Sequence, residues 1–129
     1  MRILVIDDNA KLLAELGHIL TRNGHSADCI DNAAAAVVML GSSCYDFILV
    51  DYRMPEHDGL WFIKNASIPR HTKTLLVTSY VDRNVIKQMF NAGISGYVVK
   101  PFDEKELLMH LEFHSGNQMN RQNVNSGEI

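Results

Sequence analysis

Cysteine is scarce in this sequence, and several other features that would place the chain in a special class are missing. Two cysteines, Cys29 and Cys44, are too few for a disulfide framework in 129 residues, so both are expected to be reduced and partly buried thiols. No apolar run approaches the length that spans a membrane, and the chain starts with a strand-like segment instead of a signal peptide. These absences predict a cytoplasmic protein that does not associate with membranes.

Excess positive charge and nucleotide-binding motifs are missing as well. The net charge is −3, so direct binding to nucleic acid is not expected. Neither a P-loop nor the glycine-rich dinucleotide fingerprint occurs, so a bound nucleotide is not indicated. His110 and His114 would share a helix face, but the absence of a third ligand nearby argues against a native metal site there. What remains is the composition of one globular domain, with 47% hydrophobic and 21% charged residues.

Five short apolar segments alternate with five helical patterns. The predicted strands are residues 3–6, 26–30, 47–50, 74–77 and 97–99. Gly24, Gly41 and Gly93 are expected to end the first, second and fourth helices. Asp82 is expected to cap the start of the fourth helix, and Asp103 with Glu106 is expected to form a capping box at the start of the fifth. Alternating strands and helices with short connections predict a doubly wound α/β domain with a five-stranded parallel sheet over residues 1–114. Residues 115–129 are rich in asparagine and glutamine, which predicts a disordered polar tail or linker.

Polar residues follow four of the predicted strands at the point where each strand ends. These residues are Asp7 and Asp8 after the first strand, Asp51 after the third, Thr78 after the fourth and Lys100 after the fifth. In a doubly wound parallel sheet, ligands bind at the carboxyl ends of the strands. We therefore expect three carboxylates, a hydroxyl and an ammonium group to converge on one edge of the sheet.

This combination of groups is suited to phosphoryl transfer. Three neighbouring carboxylates repel one another and raise each other's pKa, a repulsion that a bound cation relieves. Oxygen ligands of this kind suit Mg²⁺. A lysine can pair with a carboxylate or a phosphoryl oxygen, and phosphoryl transfer depends mostly on positioning and charge neutralisation.

Each of these residues also has an ordinary structural interpretation. Asp8 could cap the first helix, Thr78 could cap the helix that follows it, and Lys100 could be a surface charge. Against this stands the coincidence that four strand ends carry the residue types that one reaction needs. The coincidence favours a functional site.

Four motifs, in order and at the usual separations, identify a family that this chain resembles. They are ILVIDD (3–8), VDYRMPEHDG (50–59), LLVTS (75–79) and GYVVKPF (96–102). Together they are similar to the receiver domain of two-component response regulators, and the last two resemble those of single-domain chemotaxis regulators. The resemblance covers residues 1 to about 114. It implies a flavodoxin-like fold with strand order 2-1-3-4-5.

The resemblance implies a phosphoacceptor and a metal site. Asp51 would accept a phosphoryl group from a sensor histidine kinase or a phosphotransfer protein. Mg²⁺ would be bound by Asp7, Asp8, Asp51 and the main-chain carbonyl of Arg53. The chain would be a signalling switch that catalyses only its own phosphorylation and dephosphorylation.

The resemblance also implies how the switch works. Thr78 and Lys100 would bind the phosphoryl oxygens, and Tyr97 would turn inward when Thr78 moves toward the phosphate. The bond between Lys100 and Pro101 would be a cis peptide. The face formed by helix 4, strand 5 and helix 5 would contact an output domain, a downstream partner or a second copy after phosphorylation. An output domain beyond residue 129 and a standalone receiver are both compatible with the sequence.

Arg53 and Tyr80 depart from common usage in the family. Each lies two residues beyond an implied site residue, at a position that tunes hydrolysis of the acyl phosphate in the family. Both side chains are large, and the guanidinium could stack on the ring. We expect such a lid to exclude water and slow the loss of phosphate.

Two other functions compete with this interpretation. A Mg²⁺-dependent phosphohydrolase of the haloacid dehalogenase type also uses an aspartyl phosphate, but that family carries a second acid two residues after the nucleophile, where this chain has Arg53. A receiver used as a phosphorylation-independent binding module would often have lost some of the site residues. All five strand-end residues are intact here, which argues against that alternative.

Overall fold

Strands and helices alternate along residues 1–115, the part of the chain that the computed structural model describes. The strands are β1 (Arg2–Ile6), β2 (Ser26–Ile30), β3 (Phe47–Val50), β4 (Lys73–Thr78) and β5 (Gly96–Val99). The helices are α1 (Ala10–Arg22), α2 (Ala33–Ser42), α3 (Gly59–Asn65), α4 (Arg83–Ala92) and α5 (Glu104–His114). Every strand pair is parallel, in the order β2-β1-β3-β4-β5. The predicted doubly wound fold and its strand order are confirmed.

The sheet has an apolar core on each face, because alternate residues of a strand point to opposite sides. Leu4 of β1 and Ile48 of β3 belong to the core that packs against α2, α3 and α4. Ile3 and Phe47 belong to the core that packs against α1 and α5. All four side chains are at most 1% exposed. The central strands are therefore anchored on both faces, which fixes the position of whatever follows their carboxyl ends.

An aspartate or asparagine caps the start of each helix in residues 1–115. The N-caps are Asn9, Asn32, Asp58, Asp82 and Asp103, and each side chain accepts a hydrogen bond from a backbone N–H in the first turn. The predicted Asp82 cap and the capping box of Asp103 with Glu106 are confirmed. Asp8 and Thr78 cap no helix, so those two structural interpretations are wrong.

Two of the three expected helix-ending glycines do end a helix. Gly24 and Gly93 follow α1 and α4 with φ angles of 88° and 119°, which a residue without a side chain adopts readily. The third expectation is wrong, because α2 continues through Gly41 to Ser42. Gly41 lacks a positive φ, so the chain does not leave the helix there.

The cysteines differ from expectation in one respect. Cys29 and Cys44 are both free thiols, as predicted, but both are exposed instead of partly buried. Cys29 lies on β2, which is an edge strand, and Cys44 lies in the connection between α2 and β3. The Cys29 sulfur nevertheless lies beside α1, 3.7 Å from the Leu13 carbonyl oxygen.

Residues 116–129, which contain nearly all of the predicted tail, lie outside the described residues, so the boundary after residue 114 and the disorder of the tail stay predictions. Within residues 1–115, no helix combines the length and the apolar character needed to cross a membrane.

Candidate functional site

The strand-end residues meet at one edge of the sheet, because the parallel strands all end there. Asp7 follows β1, Asp51 follows β3, Thr78 is the last residue of β4, and Lys100 follows β5. Backbone hydrogen bonds join these ends: the Asp51 N–H donates to the Ile6 carbonyl at 3.0 Å, and the Lys100 N–H donates to the Thr78 carbonyl at 2.9 Å. These hydrogen bonds fix the backbone positions from which the side chains of the site extend.

Three carboxylates form a cluster at this edge. One oxygen each from Asp7, Asp8 and Asp51 lies within 4.8 Å of the others. Asp7 and Asp51 are buried, with 2% and 8% of their surface exposed, whereas Asp8 is exposed. The cluster thus has a closed inner side and an open outer side through which solvent or a ligand can reach it.

Lys100 joins two of these carboxylates. Its Nζ donates to Asp7 Oδ2 at 2.7 Å and to Asp51 Oδ2 at 3.3 Å. The side chain is only 18% exposed, so Lys100 is not the surface charge of the structural interpretation. The peptide bond between Lys100 and Pro101 is cis.

Burial is the main influence on the Asp51 carboxyl. Removal from water raises its pKa above the usual value, and the negative charge of Asp7 raises it further. The Lys100 ammonium acts in the opposite direction, as do hydrogen bonds from the Thr78 side chain and from the Tyr52 N–H. The sequence predicted repulsion among carboxylates as the cause of a raised pKa. The repulsion contributes, but desolvation is larger.

The Asp51 carboxylate is held by its immediate neighbour as well. The Tyr52 N–H donates to Asp51 Oδ1 at 2.7 Å, while Oδ2 faces Lys100. Each oxygen of the carboxylate therefore has its own donor. The side chain is oriented before any ligand arrives.

Thr78 and Tyr97, the two implied switch residues, are placed differently. Thr78 is 1% exposed, and its Oγ1 accepts a hydrogen bond from the Tyr80 N–H at 3.0 Å. The single hydroxyl proton of Thr78 is engaged by the Asp51 carboxylate, so it is directed into the carboxylate cluster. Tyr97 lies outside the cluster: its side chain is exposed and meets the Phe90 ring edge-on at 6.3 Å.

Gly59 packs closely against the backbone of Asp51, a contact that the sequence did not reveal. A Cβ atom at residue 59 would lie 2.6 Å from the Asp51 carbonyl oxygen and 3.1 Å from the Tyr52 Cα. The Gly59 N–H also donates to the Tyr52 carbonyl at 2.7 Å. The sequence showed only an Asp-Gly turn before a helix. The available signal was that a glycine occupies the first position of α3, where a better helix former would otherwise stand.

Arg53 and Tyr80 stack on each other, as expected. The Arg53 guanidinium carbon lies 3.7 Å from the centre of the Tyr80 ring. The Tyr52 ring, which the sequence did not implicate, is stacked with Tyr80 at a centroid distance of 5.7 Å and an interplanar angle of 14°. The loops after β3 and β4 are thereby joined beside Asp51 and Thr78.

The donor set fits a hard divalent cation. Asp7, Asp8 and Asp51 offer only oxygen atoms, which suit Mg²⁺ or Ca²⁺ better than the softer transition metals. Three carboxylates face a single ammonium group from Lys100, so the cluster retains negative charge that a cation would neutralise. The two histidines of α5 do not form a second such group: the rings of His110 and His114 lie parallel at 6.0 Å, and no third ligand within residues 1–115 completes a cluster with them.

Comparison with known proteins gives a consistent result. The family model described as the response regulator receiver domain matches residues 3–112. The regulatory protein AtoC of Escherichia coli strain K12 is 32% identical over 107 residues, and the chemotaxis protein CheY of Pseudomonas aeruginosa is 30% identical over 116 residues. A crystal structure of a CheY-like response regulator receiver domain protein from Methanospirillum hungatei JF-1 aligns with a TM-score of 0.86 at 23% identity, which shows the shared fold.

The coverage of these relatives differs widely. The match to AtoC spans 82% of this chain but only 23% of AtoC, whereas the match to CheY spans 87% of this chain and 94% of CheY. The structure from M. hungatei is covered over 97% of its length and covers 93% of this chain. The common element is thus one domain, which occurs both within longer proteins and nearly alone.

Proposed function

Because this chain belongs to the family of response regulator receiver domains, we propose that Asp51 accepts a phosphoryl group from a sensor histidine kinase or a phosphotransfer protein. One observation carries the proposal: Asp51 is a buried, oriented carboxylate that shares Lys100 with Asp7 at the open edge of the sheet. Receiver domains act as signalling switches.

Asp7, Asp8, Asp51 and the main-chain carbonyl of Arg53 would hold Mg²⁺. The ion would neutralise carboxylate charge and the charge on the phosphoryl oxygens. The Asp7 carboxylate is oriented by its own loop, because Asp7 Oδ1 accepts a hydrogen bond from the Asn9 N–H at 2.9 Å.

The transfer step requires Asp51 in its ionised form. A carboxylate oxygen of Asp51 attacks the phosphorus atom of a phosphohistidine, a P–O bond forms, and the P–N bond breaks with its electron pair remaining on the imidazole nitrogen. Lys100 and Thr78 are the donors within the site that can contact the phosphoryl oxygens during this step. The Lys100 ammonium favours the ionised form of Asp51, in opposition to burial.

Signal output would start from Thr78. If its hydroxyl moves toward the phosphoryl group, the β4–α4 loop follows, because Thr78 Oγ1 accepts a hydrogen bond from the Tyr80 N–H. That movement vacates space into which Tyr97 can turn, which would take the ring away from Phe90. The face formed by α4, β5 and α5 would then present a different surface to an output domain, a downstream partner or a second copy.

Incubation with acetyl phosphate and Mg²⁺ is expected to add one phosphoryl group to the wild-type protein and none to Asp51→Ala. Asp31→Ala provides a matched control, because Asp31 follows β2 at the same edge of the sheet but lies outside the carboxylate cluster. Intact-protein mass spectrometry measures the outcome. Equal labelling of Asp51→Ala and wild type would contradict the assignment of the phosphoacceptor.

The stacked Arg53 and Tyr80 side chains are expected to prolong the phosphorylated state. Hydrolysis needs a water molecule in line with the P–O bond, and two large stacked groups beside that path reduce its access. Replacing both residues with small ones, as Arg53→Asn with Tyr80→Ala, should speed the loss of phosphate about tenfold, which needs only about 1.4 kcal/mol of barrier. Dephosphorylation after removal of acetyl phosphate measures the rate. An equal or slower rate in the double variant would rule out the lid.

The two competing functions make different predictions. A phosphohydrolase of the haloacid dehalogenase type would turn over small phosphate esters, yet the residue two positions after Asp51 is Arg53, whose guanidinium stacks on Tyr80 and is not an acid. A phosphorylation-independent binding module would take up no phosphoryl group. The acetyl phosphate experiment separates the second alternative from the proposal.

Location in the cytoplasm, predicted from the sequence, would place the chain beside the kinase domain of a sensor.

A further inference from the structure

Lys100 lies closer to one of its two carboxylate partners than to the other, and this difference bears on cation binding. Its Nζ lies nearer to Asp7 Oδ2, at 2.7 Å, than to Asp51 Oδ2, at 3.3 Å. Asp7 is a proposed ligand of the cation and is not the proposed phosphoacceptor. The Asp7 and Asp51 side chains are 3% and 11% exposed, so the ammonium group and these two carboxylates interact with little screening by water.

An ammonium group in this place can have two opposite effects on a divalent cation. It can hold the carboxylates in position for the cation, in which case its removal weakens binding. Alternatively, it can occupy the carboxylate oxygens and repel the cation, in which case its removal strengthens binding. The direction of the effect depends on whether the carboxylates need Lys100 to stay in place.

The carboxylates do not depend on Lys100 for their positions. Asp7 Oδ1 accepts a hydrogen bond from the Asn9 N–H at 2.9 Å, and the Asp7 N–H donates to the Ile30 carbonyl at 3.2 Å. Asp51 Oδ1 accepts one from the Tyr52 N–H at 2.7 Å. Each carboxylate is thus oriented by backbone groups of its own loop, and Lys100 contacts only the oxygens that remain.

We propose that Lys100 is a built-in competitor of the divalent cation, and that its pairing with Asp7 and Asp51 lowers the Mg²⁺ affinity of the unphosphorylated domain. The inference rests on the proposed function, because it takes Asp7 and Asp51 to be cation ligands. A phosphoryl group attached to Asp51 offers Lys100 new oxygens, which draw the ammonium away from Asp7. The phosphoryl group and Mg²⁺ then each strengthen the binding of the other, as reciprocal coupling requires.

Calorimetric titration with Mg²⁺ tests the sign of the effect. Lys100→Met removes the charge and keeps a side chain of similar length, so its Mg²⁺ dissociation constant should fall about tenfold, equivalent to about 1.4 kcal/mol. Lys73→Met is the matched control for the loss of one positive charge, because Lys73 begins β4 at the opposite edge of the sheet. Its affinity should equal that of the wild type. Lys100→Arg keeps the charge and should also bind Mg²⁺ no more tightly than the wild type.

The result that overturns the inference is an unchanged or weaker affinity in Lys100→Met. Thermal melting in EDTA checks that the variant is folded, and Lys100→Gln takes its place if it is not. A tighter affinity in Lys73→Met equal to that in Lys100→Met would also overturn the inference, because net charge alone would then explain the change. A wild-type protein that binds no Mg²⁺ but is labelled by acetyl phosphate would remove the basis of the inference and leave Asp51 as phosphoacceptor.

Discussion

Chelation of divalent cations with EDTA is expected to abolish the labelling of Asp51 by acetyl phosphate. Asp7, Asp8 and Asp51 bring three carboxylates within 4.8 Å, and Lys100 compensates only part of their charge. A phosphoryl donor carries further negative charge, so its approach to the uncompensated cluster is opposed by repulsion in a poorly solvated site. Without a cation, the rate of labelling should fall below detection.

Restoration by Mg²⁺ is the control for this experiment. Labelling should return when Mg²⁺ is added in excess over EDTA, and Asp7→Asn, which removes one charge of the buried pair, should need more Mg²⁺ to reach the same rate. Full labelling in EDTA would show that Lys100 alone supplies the positive charge that the reaction needs. That result would contradict the proposed role of the carboxylate cluster.

Substitution of Gly59 by alanine is expected to damage both stability and phosphorylation. The new Cβ would lie 2.6 Å from the Asp51 carbonyl oxygen, a backbone atom that cannot move without moving Asp51 itself. Steric overpacking of this kind typically costs about 1–3 kcal/mol. Denaturant unfolding should show a loss of that size, and acetyl phosphate labelling of the folded fraction should be slower.

A second glycine provides the comparison. Gly41 lies within α2, and a Cβ there would meet no atom within 4 Å. Gly41→Ala should therefore leave labelling unchanged and stabilise the protein slightly, since alanine is favoured over glycine in helices by about 0.5–1 kcal/mol. Equal effects of the two substitutions would contradict a specific role for Gly59 in positioning Asp51.

The frame of the site could be predicted from the sequence because it depends on periodicity. Apolar runs that end in Asp7 and Asp51 indicated buried parallel strands, and parallel strands place their carboxyl ends together. The same argument brought Thr78 and Lys100 to that edge. The caps Asp82 and Asp103 were also evident, because a capping side chain acts within its own helical turn.

What the sequence could not provide depends on contacts between distant segments. The close approach of Gly59 to the Asp51 carbonyl is set by how α3 docks, and no local pattern records it. The Tyr52 ring joins the Arg53 and Tyr80 stack only because two loops meet in space. The unequal sharing of Lys100 between Asp7 and Asp51 is likewise a matter of tenths of an ångström.

Gly41 shows that a local sequence rule can also predict a helix end that the structure does not have. Glycine after a helical pattern often ends a helix, because it readily adopts a positive φ. Gly24 and Gly93 do adopt such angles, whereas Gly41 lies inside α2 without one. The chain leaves α2 two residues later, at Ser43, whose backbone is extended.

The identity of the phosphorylated residue is the most direct test of the whole account. After labelling with acetyl phosphate and Mg²⁺, reduction with borohydride cleaves an acyl phosphate and leaves a stable mark on the aspartate that carried it, which peptide mass spectrometry can locate. The account predicts the mark at Asp51 and at neither Asp7 nor Asp8. A mark at one of those two aspartates, or on a residue outside the cluster, would contradict it.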